Sequence, residues 1–160
     1  MLLAATNAVN LTDGVDGLAG SVSAIILTAI TIIALKTGNI GISLLGSILV
    51  GSCFGFLIYN FHKAKVMMGD TGSLLLGGAI SSMMIYLKNP LLLIILAIIP
   101  VIETLSVILQ VLYFRKTGKR LFRMSPLHHH FELSGWRENK VVGVFSLITL
   151  IASIISIASI

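Results

Sequence analysis

Apolar residues run through this chain in five long blocks separated by short polar segments. The blocks are Leu18–Leu35, Ile40–Phe61, Ser73–Leu87, Leu91–Phe114 and Val141–Ile160. A helix needs roughly 17–25 residues to cross the hydrocarbon core of a bilayer, so each block predicts a membrane-spanning α-helix. The third has only 15 residues and needs its polar flanks to complete the crossing. The predicted fold is an all-α, polytopic membrane bundle of about five transmembrane helices with one long loop, residues 115–140. The opening segment MLLAATNAVN is too short to span and lacks the basic leader of a signal peptide. It reads as the last turns of a helix that starts upstream.

Composition supports the membrane assignment. Of 160 residues 56% are hydrophobic and 11% charged, against about 45–50% and about 25% in a soluble domain. The one cysteine, Cys53, lies in an apolar block, which excludes a disulfide scaffold. Charge then orients the spans. Five crossings place Met1–Gly17, Phe61–Gly72 and Arg115–Lys140 on one side, with Lys36–Asn39, Lys88–Pro90 and the C-terminus on the other. Of the 11 lysines and arginines, only Lys36 and Lys88 fall on the second side. The positive-inside rule makes the first side cytoplasmic. The net charge of +5 is largely this asymmetry and calls for no nucleic-acid partner. Asp13, Asp16, Asp70 and His128–His130 also gather there, although a topology signal needs neither carboxylates nor imidazoles. Chemistry at the cytoplasmic membrane surface is the resulting expectation.

Three motifs carry candidate chemistry. In NAVNLTDGVDGLAG, residues 7–20, two aspartates each precede a glycine where the chain enters a span. A helix cap from Asp16 and a turn at Asp13-Gly14 account for this pattern. A ligand site using Asn10 and both carboxylates accounts for it equally well. The spacing is not that of an EF-hand. In MMGDTGS, residues 67–73, Asp70, Thr71 and Ser73 suit a helix N-terminus. The Asp-Thr-Gly-Ser run of soluble aspartic proteases belongs to a β-rich fold, and the intramembrane pattern Gly-x-Gly-Asp fails at Met67. Asp70 can instead hold Mg²⁺, a hard cation that takes one or two carboxylates together with substrate phosphates. Amides at the helix start favour a phosphate beside it.

The third motif is RKTGKRLFRMSPLHHHFELSGW, residues 115–136. Successive helical positions point about 100° apart, so His128, His129 and His130 do not by themselves form a zinc site. Arg115, Lys116, Lys119, Arg120 and Arg123, interleaved with Leu121, Phe122 and Met124, suit an anionic headgroup or phosphate. They suit simple retention on the positive side as well. Inside the spans, Glu103, Ser106 and Gln110 form a polar stripe that should face the bundle interior. Ser47, Gly51 and Gly55 form a small-residue stripe that predicts close helix packing. Asn60, at the end of its span, can cap the helix or reach a ligand.

Together NAVNLTDGVDGLA, MGDTGSLLLGGA, IETLSVILQV and TGKRLFRMSPLHHHFELSGW resemble, in order, the C-terminal half of the bacterial phospho-N-acetylmuramoyl-pentapeptide-transferases. The first two motifs are shared with the wider glycosyltransferase 4 superfamily of polyprenyl-phosphate sugar-1-phosphate transferases. The resemblance, from about Ala5 to the end, implies a bacterial inner-membrane enzyme with its active site on the cytoplasmic face. Such enzymes transfer phospho-MurNAc-pentapeptide from its UDP carrier to undecaprenyl phosphate, with Mg²⁺, and release UMP. This is the step that gives the first lipid-linked intermediate of peptidoglycan, lipid I. By position, the resemblance makes Asp70 the Mg²⁺ ligand and places Asn10 and Asp13 in the catalytic cleft. It gives Gly14, Val15 and Asp16 to the uracil, Asn60 to the nucleotide side, and His128–His130 to a motif closing the site.

Two substitutions depart from the family pattern: Met67 replaces a phenylalanine that stacks on the uracil, and Lys63 replaces a proline. Altered nucleotide binding is the implied consequence. Family members have about ten spans, and their upstream half carries an Asp-Asp pair followed by a lysine. The expectation is therefore a half-enzyme, inactive alone, that is either an incomplete product or the partner of a separately encoded N-terminal half. Its partners would be UDP-MurNAc-pentapeptide, undecaprenyl phosphate and membrane lipids. The competing readings are a sister enzyme using another UDP-sugar, and a non-catalytic membrane subunit or transporter.

Overall fold

Backbone polar groups inside a hydrocarbon layer must be satisfied within their own segment, and the apolar blocks meet that demand as helices. A computed structural model describes all 160 residues. It contains α1 (Leu2–Thr12), α2 (Leu18–Lys36), α3 (Ile40–Asn60), α4 (Gly69–Tyr86), α5 (Leu92–Leu96), α6 (Ile98–Thr117), α7 (Leu127–Glu132) and α8 (Glu138–Ala158), with no strand. The protein is an all-helical bundle of membrane type, and α2, α3, α6 and α8 are long and apolar enough to cross a bilayer.

The remaining blocks differ from their predicted form for local reasons. The third, predicted from Ser73, starts at Gly69 because its polar first turn, Gly-Asp-Thr-Gly, is already helical. That turn and Ser81-Ser82 leave α4 at 18 residues and outside the group of apolar crossing helices. The predicted span Leu91–Phe114 is not continuous. It breaks at Ala97 (φ −94, ψ 34) into α5 and α6. Pro100 lacks the amide hydrogen that would reach the Leu96 carbonyl, and its ring crowds that carbonyl. The final helix begins at Glu138, three residues before the apolar run, and α7 is a helix within the long loop.

α2 is the hub. Its apolar window is 72% buried, against 22% for α3 and α6, and it packs on α1, α3, α4 and α8. It ends in a Schellman turn, with Gly38 at φ +73 and the Asn39 amide donating to the Ala34 carbonyl at 2.8 Å. Several buried hydroxyls are satisfied within their own helices, as in Ser81 to the Gly77 carbonyl and Thr149 to Phe145, whereas those of Ser23 and Ser153 have no partner. The small-residue stripe on α3 does not pack as predicted. Gly51 and Gly55 are exposed, and a Cβ added at either would meet nothing within 4 Å. The packed face of α3 carries Ser43, Gly46, Cys53, Leu57 and Asn60.

The close helix contact lies elsewhere. A Cβ on Gly77 of α4 would sit 2.6 Å from both the Ala5 carbonyl oxygen and the Thr6 Cα of α1. Both are backbone atoms, so Gly77→Ala must push α1 off α4. Overpacking of this kind costs about 1–3 kcal/mol. Thermal unfolding in detergent should show a clearly lower midpoint for Gly77→Ala and little change for Gly51→Ala. Equal midpoints for the two variants would refute the contact.

Candidate functional site

The ends of α1 and α4 meet at one end of the bundle through Asn10. Its Nδ2 donates to Asp70 Oδ1 and to Ser73 Oγ, both at 3.0 Å. Asp70 does not cap α4, whose N-cap is Met68 without a side-chain bond. Instead it stands exposed in the first turn, where the helix dipole favours a negative charge. Asp13 follows α1 directly. Burial first, and the neighbouring Asp70 charge second, push its carboxyl above the ordinary value of 3.8. No lysine or arginine pairs with either carboxylate.

The raised Asp13 value has a sign that can be tested. The folded chain holds this proton more tightly than the unfolded chain. Stability therefore falls as pH rises from the ordinary carboxylate value through the raised one, and the penalty is complete above both. In chelator, Asp13→Asn should melt higher than the parent at neutral pH, and the gap should close as pH drops below the carboxylate range. A gap that ignores pH would assign the effect to something other than this charge.

His128 approaches the same place from α7. A Cβ on Gly14 would run into His128 Nε2, so the missing side chain leaves room for the imidazole over the turn after Asp13. His128 is 1% exposed, and Nε2 has no hydrogen-bond partner. Its ring nitrogen Nδ1 lies 3.2 Å from Glu103 Oε1 without the angle of a hydrogen bond. The other two imidazoles point elsewhere. His129 Nδ1 contacts Glu132 Oε2 at 2.7 Å, and His130 Nδ1 accepts the Arg123 amide at 3.1 Å. Asn10, Asp13, Asp70 and His128 thus belong to one cluster.

The polar stripe of α6 holds this loop in place. Fully buried Glu103 accepts the Leu127 amide on Oε2 at 2.6 Å and the His128 amide on Oε1 at 3.2 Å. Gln110 Oε1 accepts the Leu121 and Phe122 amides at 3.0 and 2.8 Å. Sequence reasoning placed the stripe inside but did not identify its partners, which lie 11 to 25 residues further along. Phe131 adds packing against Trp136 and Phe145, which fixes α7 on α8.

The remaining predicted residues form a neighbouring group. Asp16 does not cap α2, whose N-cap is Gly17; its Oδ2 accepts the Ala64 amide at 2.9 Å. Buried Asn60 accepts the Gly17 amide at 3.0 Å and donates to the Val66 carbonyl at 2.8 Å, so its amide ties two turns together. Val15 is buried, whereas Met67 is 70% exposed, three positions before Asp70.

The family model described as Glycosyl transferase family 4 matches residues 1–88, which contain Asn10, Asp13, Asp16, Asn60 and Asp70. The chain belongs to this family. Its relatives include proteins named phospho-N-acetylmuramoyl-pentapeptide-transferase. That of Desulforamulus reducens is 54% identical over 157 residues, 98% of this chain and 47% of the relative. That of Clostridium botulinum is 57% identical over 152 residues, 95% of this chain and 47% of the relative. A third, from Clostridium perfringens, is 53% identical over 154 residues, 96% and 49% of the two chains. The chain thus spans about half the length of the curated relatives it matches. The His128 loop and the α6 stripe lie beyond the region matched by the family model but inside these longer similarities.

Proposed function

We propose that this chain supplies part of the active site of a bacterial inner-membrane phospho-N-acetylmuramoyl-pentapeptide transferase working on the cytoplasmic face. The substrates are UDP-MurNAc-pentapeptide and undecaprenyl phosphate, and the products are lipid I and UMP. The convergence of Asn10, Asp13, Asp70 and His128 at one end of a membrane-type bundle is the observation that carries this reading. A lipid phosphate and a soluble nucleotide sugar meet at such a boundary.

In the reaction a phosphate oxygen of the lipid attacks the phosphorus that bears the sugar. The bond from that phosphorus to the UMP oxygen breaks, and a pyrophosphate linkage remains on the lipid. Asp70 and Asp13 offer hard oxygen donors that repel each other and have no basic partner, a donor set that fits Mg²⁺. When bound, Mg²⁺ would neutralise charge on the reacting phosphates. Asn10 orients Asp70, and His128 covers the turn after Asp13 with a ring nitrogen left free for a substrate group. The apolar groove between α2, α3 and α8, about 740 Å³, suits a polyprenyl chain.

The test is UMP release from uridine-labelled donor in membranes holding this chain with the complementary half of a relative. Release that requires undecaprenyl phosphate and Mg²⁺, and is absent with the chain alone, is expected. Failure to release UMP in the complemented membranes, or release that persists in chelator, would overturn the reading.

A further inference from the structure

A second group of metal-ligating side chains lies beside the Asn60 turn, apart from Asp70, and includes Asp16, which the family resemblance gives to the uracil. Asp16 comes from the turn before α2, His62 follows α3, and Glu138 stands in the first turn of α8. One donor atom from each lies within 4.8 Å of the others. His62 Nδ1 shares a hydrogen bond with Glu138 Oε2 at 3.0 Å, which a bound ion would replace, and lies 3.7 Å from Asp16 Oδ2. Donors on a tetrahedral ion at zinc-like bond lengths are about 3.3–3.5 Å apart, so the two observed spacings bracket that value.

The surroundings favour a cation. Every charged contact in the protein joins a histidine to a carboxylate, so neither Asp16 nor Glu138 has a lysine or arginine within 4 Å. Lys140, two residues after Glu138, is drawn over the Trp136 ring at 4.1 Å, and Arg137, which immediately precedes Glu138, makes no ion pair with it. The Ala64 amide fixes the Asp16 oxygen at 2.9 Å, the kind of outer contact that orients a metal ligand. One imidazole with two carboxylates selects zinc-class ions over Mg²⁺, and three protein ligands leave a position for water.

We propose that Asp16, His62 and Glu138 bind one zinc-class divalent ion. The ion ties α8 to the turn before α2 and to the segment after α3. None of its geometry involves Asp70, and a metal titration reads it without any transfer activity, so its failure and that of the transfer reading are distinguishable.

Co²⁺, a spectroscopic substitute for zinc, is the probe, titrated into the purified detergent-solubilised chain in the presence of excess Mg²⁺. One equivalent should bind with a visible ligand-field band and be displaced by one equivalent of Zn²⁺. His62→Ala and Glu138→Gln should each weaken binding at least ~10-fold, and Asp70→Asn should leave the titration unchanged. Both mutated side chains are over a third exposed, so the variants should fold, and a cooperative melt in chelator checks this. Zn²⁺ should raise the melting midpoint of the parent and not of His62→Ala. Absence of the band, displacement by Mg²⁺, or parent-like titration of both folded variants would overturn the proposal.

Discussion

Asp70→Asn should lower Mg²⁺-dependent UMP release by the complemented enzyme about 10³-fold, the several kcal/mol that a metal ion contributes to transition-state charge. The change keeps the shape of the side chain. An asparagine oxygen still accepts the Asn10 amide bond seen at 3.0 Å, so the junction of α1 and α4 survives. What disappears is one negative charge. That charge is also a cause of the raised Asp13 value, so the metal-free variant should melt no lower than the parent. A variant that keeps activity within tenfold would remove Asp70 from the chemistry. One that loses activity only by unfolding would make its role structural.

Glu103→Ala should release the histidine loop. The substitution strands the buried amide of His128 and the half-buried amide of Leu127, at about 1–3 kcal/mol for a fully buried donor, and leaves a void where the carboxylate stood. A loss of roughly 3–5 kcal/mol places it among large single-site effects. Glu103→Gln should also be harmful, because its NH₂ would face one of the two donating amides. Hydrogen exchange of peptides covering residues 119–136 measures the outcome. Protection should collapse there and persist in α2. Unchanged loop protection in Glu103→Ala would show that Phe131 packing alone holds α7.

The helices that read most directly from sequence are those bounded by both composition and turn chemistry. α2 and α3 lie within one residue of their apolar blocks because Gly17, the Gly38-Asn39 turn and the residues after Asn60 mark abrupt changes. The start of α4 was hidden because a polar first turn resembles a loop. The break at Ala97 was hidden because hydropathy does not register the amide that Pro100 lacks. The stripe on α3 misled because small residues permit close packing without requiring it; burial chose Gly46 instead.

The site was legible only as motifs. Asn10 and Asp70 are 60 positions apart, and no local periodicity joins them. Asp13 and Asp70 could be nominated from residue type, but their mutual repulsion needed the fold. Glu103 was visible as an interior acid, and its partners were not, since they sit on a loop whose path follows from tertiary packing. The grouping of Asp16 with His62 and Glu138 draws on three separate segments and left no trace in any one of them.

The modest apolarity of α4 bears on how the molecule is made. Charged and polar residues make a segment costly to insert by itself, and α4 has an aspartate in its first turn and carries Ser81 and Ser82. α2 and α3 are joined by only three residues, Thr37–Asn39, and can enter the bilayer as a hairpin before α4 leaves the ribosome. α4 then gains its place by lodging against α2 and the backbone of α1 at Gly77. Asp70 is brought to Asn10 through helix assembly rather than through the partitioning of its own segment, so the order of biogenesis and the completion of the site are coupled.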